Sequence, residues 1–131
     1  MIIAHGIDLV DIAHTAQLLA DPTDQLLTRC FTAQEQEAVG TGTDRAARLS
    51  GRLAAKEAVM KALGTGFSEG VGFLSIEVVT LPSGAPTIVL HGEAQKRAET
   101  LGIRSWLIST AHESDMAIAS VIGLADQGAP R

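Results

Sequence analysis

The sequence predicts an α+β domain, with a mainly antiparallel sheet packed on one long helix. Three observations lead there. Apolar and alanine positions recur at three-, four- and seven-residue steps between residues 44 and 63, as one long amphipathic helix requires. Two pairs of β-rich apolar runs are each joined by a short polar turn, which is how hairpins read. The 131 residues contain no repeat and no linker long enough to divide them, so 1–131 is expected to form one domain. Strands joined by hairpins rather than by helical crossovers favour antiparallel pairing.

The elements follow in order. Residues 2–10, rich in Ile and Val and interrupted by Gly6 and Asp8, read as a buried strand. Residues 11–29 read as mostly helical, with a turn at Asp21-Pro22 and Pro22 in the first turn of a second helix. Thr32-Ala-Gln-Glu35 has capping-box spacing, and Gly40-Thr-Gly42 ends that short helix. In the long helix Ala46, Leu49, Leu53, Met60 and Leu63 mark the apolar face, and Gly64-Thr65-Gly66 stops it. Residues 74–81 and 86–90 form a hairpin around Pro82-Ser-Gly-Ala. Residues 92–101 form a short helix ended by Gly102. Residues 105–112 and 115–124 are strands joined by a tight turn near Glu113-Ser114.

Composition excludes several function classes. Acidic residues outnumber basic ones 15 to 10, a net charge of −5, which argues against a DNA or RNA binder. Aromatic residues make up 3% with no Tyr, which argues against a base-stacking platform as well. Hydrophobic residues reach 46% and charged ones only 19%, below the usual level of about 25%. On a small domain with much surface, this points to apolar area covered by another subunit. Cys30 is alone, so neither an intrachain disulfide nor a cysteine zinc cage can form. The opening MIIAHGIDLV lacks the features of a secretory signal. The longest apolar run, residues 116–125, is far short of the roughly 20 residues of a membrane span. The expectation is a cytoplasmic protein with no membrane partner.

The charges are unevenly placed. Arg45, Arg48, Arg52, Lys56 and Lys61, half of the basic residues, share one stretch with a single acid, Glu57. At about 100° per residue Glu57 and Lys61 lie about 40° apart, and Arg48, Arg52 and Lys56 form an adjoining basic stripe. Two readings stand. The stretch is a solvated face with an i,i+4 Glu–Lys pair, or it is an anion site where cations bind phosphates and a carboxylate holds a metal. Unmatched like charges repel one another, which favours an anion. Asp8, inside IIAHGIDLVDI, is costly to bury unless paired, hydrogen-bonded or metal-bound. Capping of the next helix is the alternative, for which Asp11 competes. If Asp8 and Glu57 meet beside phosphates, the two carboxylates suit Mg²⁺. His112, in ISTAHE, is open to a structural or a functional role. The four histidines lack metal-motif spacing, and no nucleophile elbow, Walker or dinucleotide fingerprint is present.

Four segments, in order, carry a resemblance. They are Gly6-Ile-Asp8; Phe31-Thr32 with Glu35; Arg52-Leu-Ala-Ala-Lys56-Glu57-Ala58 with Lys61 and Gly64-Thr65-Gly66; and Ser109-Thr-Ala-His112. Together they resemble the short, free-standing 4′-phosphopantetheinyl transferases, the holo-acyl-carrier-protein synthases. The resemblance implies transfer of the phosphopantetheine arm of coenzyme A to a serine of an apo acyl carrier protein, or of a fatty acid synthase carrier domain. It implies Mg²⁺ dependence, release of adenosine 3′,5′-bisphosphate, a place in fatty acid biosynthesis, and a homotrimer with each site between two subunits. Asp8 and Glu57 match the metal ligands, and with Lys61 form the implied catalytic set. Arg52, Lys56, Lys61, Gly64, Thr65, Gly66, Ser109 and His112 match cofactor-binding positions. The acceptor serine needs a base, and Glu57, or a metal-bound water held by it, is the candidate.

Two departures from the family pattern stand out. Where the first helix usually carries an Arg, this chain has His14, and residues 11–28 contain no Lys or Arg, only Asp11, Asp21 and Asp24. The acceptor is therefore expected to be recognised more through apolar contacts. Gly84-Ala85-Pro86 stands where the family often has Gly-basic-Pro, so Arg48 could replace that cation. The alternative function is a non-catalytic oligomeric module that binds coenzyme A or a nucleotide. Such a module needs the cations but no second carboxylate.

Overall fold

In a computed structural model that describes residues 1–66 and 70–126, strand β1 (Ile2–Asp11) runs antiparallel to β5 (Met116–Leu124). β5 also pairs antiparallel with β4 (Ser105–Glu113), giving a three-stranded sheet in the order β1-β5-β4. β2 (Ile76–Thr80) and β3 (Pro86–Leu90) form a separate two-stranded antiparallel sheet. The antiparallel prediction holds, but the strands divide into two sheets rather than one. Helix α4 (Arg45–Leu63) packs against both, and its Leu49, Leu53, Ala54, Ala55, Ala58, Val59, Met60 and Leu63 are buried.

Small residues bring that helix close to β1. A Cβ added at Gly6 would lie 1.9 Å from the Ala58 carbonyl oxygen, far inside any real contact. Only glycine allows this approach. Strand alternation then aims Asp8, two residues on, at the helix as well. The register agrees, because Gly6 faces Val121 and Asp8 faces Ala119, both buried.

Local chemistry fixes the remaining boundaries. Asp11 caps α1 (Ile12–Ala20) by accepting from the backbone N–H groups of Ala13 and His14, which leaves Asp8 free of that task. The second helix, α2 (Leu26–Cys30), starts later than expected. Pro22 lies in a turn held by Asp21, whose carboxylate accepts from the Thr23 backbone and hydroxyl, so local turn chemistry prevails over a helical start at proline. α3 (Ala33–Val39) has the expected capping box between Thr32 and Glu35. Gly64 ends α4 and Gly102 ends α5 (Gly92–Leu101), both in the left-handed region. The strand expected from residue 74 begins at Ile76, because Phe73–Ser75 forms a 3-10 turn. Ser114, with φ 56, makes the β4–β5 turn.

The main core lies between α4 and the two sheets, and a smaller cluster gathers around Phe31, Leu26 and Leu49 beneath α2 and α3. The opposite face of the three-stranded sheet carries exposed apolar side chains, including Ile7 (48%), Leu9 (58%) and Leu107 (41%). Among the described residues no helix is long and apolar enough to cross a membrane.

Candidate active site

Asp8 of β1 and Glu57 of α4 meet on one flank of the helix. Lys61, one turn beyond Glu57, donates from Nζ to Asp8 Oδ1 at 2.7 Å and to the Ile7 carbonyl at 3.1 Å. The pair expected within the helix, Glu57 with Lys61, is thus replaced by a bridge from the helix to the strand. Asp8 Oδ2 is buried and has no hydrogen-bond donor when Glu57 is ionised. Burial alone would raise the Asp8 pKa, but hydrogen bonding with Glu57 and then with Lys61 outweighs it and holds the carboxyl below its ordinary value. Glu57 is pushed up to about 7, first by burial and then by the neighbouring Asp8. Two carboxyls this close do not both ionise readily without another cation. An orphaned oxygen beside a second carboxyl is an oxygen donor set that fits Mg²⁺.

The cations of the N-terminal half of α4 lie elsewhere. At about 100° per residue Arg52 is about 140° and Arg48 about 180° around the helix from Glu57. The expected continuous site, with a carboxylate beside its basic stripe, is therefore split between two flanks. On the second flank Arg48 and Arg52 line a cavity of about 240 Å³ with Val78, Gly84, Pro86, Thr110 and His112. Arg52 Nη1 donates to the Val78 carbonyl at 3.2 Å. Burial lowers the Arg52 pKa, the Glu35 charge opposes this, and Arg48 adds to it. Arg48 donates to the carbonyls of Val39 at 2.9 Å and Ala38 at 3.2 Å, closing the C-terminus of α3. It shares the cavity with the hairpin glycine and proline, as its suggested substitute role requires.

Two expected cofactor residues are not on these surfaces. Lys56 is fully buried, and its Nζ donates to Glu35 Oε1 (2.7 Å), the Ile76 carbonyl (2.7 Å) and the Phe73 carbonyl (2.9 Å). All three N–H groups have acceptors, so none is left for a phosphate. The cause is angular: one residue before Glu57, Lys56 points between α3 and β2. Burial lowers its pKa while the Glu35 charge opposes. Ser109 stands opposite Ser120, out of step with buried Ile108, whereas Thr110 and His112 share the inner row. A one-residue offset on a strand changes the face. Thr110, missed from the sequence, was reachable by counting back two from His112. Gly64 and Gly66, with φ 75 and 56, frame the buried Thr65 directly after α4.

The chain and its fold are similar to those of known proteins. Residues 4–119 match the model of a family described as the 4′-phosphopantetheinyl transferase superfamily. A holo-acyl-carrier-protein synthase of Alkalilimnicola ehrlichii is 43% identical over 123 residues, covering 93% of this chain and 96% of that one. The Gloeobacter violaceus protein of the same name is 46% identical over 117 residues, 88% of each chain. The fold matches the crystal structure of the Helicobacter pylori holo-acyl-carrier-protein synthase in complex with coenzyme A. That match has TM-score 0.79 and 30% identity, covering 92% of this chain and 99% of that one. The Neisseria meningitidis synthase superposes with TM-score 0.83 at 28% identity, over 95% of this chain and 99% of that one. With the family model spanning most of the chain and these relatives matched nearly end to end, the chain belongs to the holo-acyl-carrier-protein synthase family of the 4′-phosphopantetheinyl transferase superfamily.

Proposed function

We propose that the two flanks of α4 are the two halves of a phosphopantetheinyl transfer site, completed between copies of this chain in a homotrimer. The reaction is transfer of the 4′-phosphopantetheine arm of coenzyme A to a serine hydroxyl of an apo acyl carrier protein. The other product is adenosine 3′,5′-bisphosphate. The observation that carries the reading is the Asp8–Glu57 pair. A module that only binds phosphates needs cations and gains nothing from two carboxyls forced together.

Asp8 and Glu57 would hold Mg²⁺, which would supply charge neutralisation at the pyrophosphate and at the departing phosphate. Lys61 fixes Asp8 through its 2.7 Å hydrogen bond and adds a cation beside it. Glu57, which would be ionised when holding Mg²⁺, is the candidate base for the serine proton. Arg52, Arg48 and His112 of a second copy bind the coenzyme A phosphates, and the backbone of Gly64-Thr65-Gly66 approaches the cofactor closely. The exposed apolar face of the three-stranded sheet supports self-association. Leu18, Leu19, Leu26 and Leu27 line a depression beside Asp24, whose carboxylate is paired with Arg29 at 3.6 Å, and its apolar lining supports an acceptor recognised through apolar contacts. The carrier so charged serves fatty acid biosynthesis in the cytoplasm.

The test is to incubate the protein with coenzyme A, Mg²⁺ and an apo carrier protein and to weigh the carrier. A gain by the phosphopantetheine mass is expected, and Glu57→Ala should abolish it while the far-ultraviolet circular dichroism stays unchanged. Binding of coenzyme A without labelling of any carrier would favour the regulatory module.

A further inference from the structure

Strand β2 pairs with β3 along one edge only, and among the described residues no strand covers the other. An uncovered strand edge leaves backbone donors and acceptors that must find partners. Here side chains take them. The Ile76 carbonyl accepts from Lys56 Nζ at 2.7 Å, the Val78 N–H donates to Glu35 Oε2 at 3.1 Å, and the Val78 carbonyl accepts from Arg52 Nη1 at 3.2 Å. Ile76 and Val78 are two apart, so their backbone groups point the same way.

We propose that Glu35 and Lys56 are positioning residues for Arg52, holding β2 so that the Val78 carbonyl fixes the guanidinium in the cavity. The inference rests on the assignment of Arg52 to coenzyme A made above. Glu35 is itself pinned from several sides. Its Oε1 accepts from Lys56 at 2.7 Å and from the Thr32 backbone at 3.1 Å, while Oε2 reaches Val78. Both charged residues are buried, at 1% and 0% exposure. A buried ion pair is a poor device for stability alone, since apolar side chains of similar volume often serve as well. Directed hydrogen bonds into one strand edge do what an apolar pair cannot: they set the height of the strand against α3 and α4. The Val78 peptide then connects Glu35 on its N–H to Arg52 on its carbonyl. Arginine presents its donors in a rigid fork, so fixing one of them on Val78 aims the others.

Glu35→Gln with Lys56→Met removes both charges together and leaves no uncompensated ion in the core. The intact protein is titrated with coenzyme A in a calorimeter, and thermal melting and carrier labelling are followed in parallel. The double variant is expected to melt cooperatively and bind coenzyme A about 3–10-fold more weakly, with KM for coenzyme A rising to match and kcat within about twofold. Arg52→Ala should weaken binding about 10–100-fold, and the triple variant should bind no more weakly than Arg52→Ala alone. A folded double variant with unchanged affinity, or losses that simply add, would overturn the positioning role while Arg52 keeps its assignment. An Arg52→Ala protein that binds coenzyme A normally would remove that assignment, and the positioning role with it. If the double variant does not fold, Glu35→Asp draws the carboxylate back from Val78 with both charges kept. The same comparison with Arg52→Ala then decides.

Discussion

Replacing Glu57 by Gln should make the metal-free protein more stable at alkaline pH while removing its activity. The Glu57 carboxyl, ordinarily at 4.5, sits at about 7 because of burial and then Asp8. That interval corresponds to about 3 kcal/mol. Solvent at this half-buried site screens it to about 1–2 kcal/mol. The folded-state value lies above the unfolded one, so the stability of the protonated carboxyl is complete below 4.5 and is lost as pH rises through about 7. Glutamine is neutral at every pH and loses nothing across that window. In the presence of a chelator at pH 8, Glu57→Gln should therefore exceed wild type by about 1–2 kcal/mol in urea denaturation followed by circular dichroism. Near pH 4 the two should differ little. Mg²⁺ at pH 8 should raise the wild-type midpoint and leave the variant unmoved, because only the former offers both carboxylates. A variant no more stable than wild type at pH 8, or one stabilised equally at pH 4, would refute the reasoning.

Other substitutions probe the parts around this pair. Gly6→Ala drives a methyl into the Ala58 carbonyl and should cost about 3 kcal/mol or more, seen as loss of soluble, cooperatively melting protein; a melt within about 3 °C of wild type would contradict the close approach. Arg48→Ala removes two hydrogen bonds to the end of α3 and a cavity cation. It should lower stability by about 1–2 kcal/mol and weaken coenzyme A binding, whereas unchanged binding would take Arg48 out of the cofactor site. Because residues 11–28 carry no Lys or Arg, KM for a free acidic carrier should change less than about twofold between about 50 and 500 mM salt. A steep rise with salt would show electrostatic docking instead.

Element types were largely legible in the sequence, because periodicity and capping are local. Thr32 with Glu35, Gly64 and Gly102 behave as their neighbours dictate. The miss at Pro22 is also local, since Asp21 offers a competing turn. The site was legible in part. Asp8 and Glu57 could be named, but what brings them together is the absence of a side chain at Gly6, a tertiary fact. Lys56 misleads because a lysine in a basic stretch looks solvated, and the acceptors that bury it come from residues 35, 73 and 76. The angular spread of Arg48 and Arg52 from Glu57 follows from helix geometry alone. Only the cavity under the hairpin shows where the arginines gather.

That division has a consequence for regulation by abundance. If, as proposed, the carboxylates and Lys61 on one flank of α4 work with the cavity arginines of a second copy, a solitary chain would be a complete fold and an incomplete enzyme. Specific activity, normally independent of how much protein is in the tube, would fall on dilution below the concentration at which the copies hold together. Synthesis rate and cell volume would then act on this enzyme twice, through the number of chains and through the fraction of them that face a neighbour.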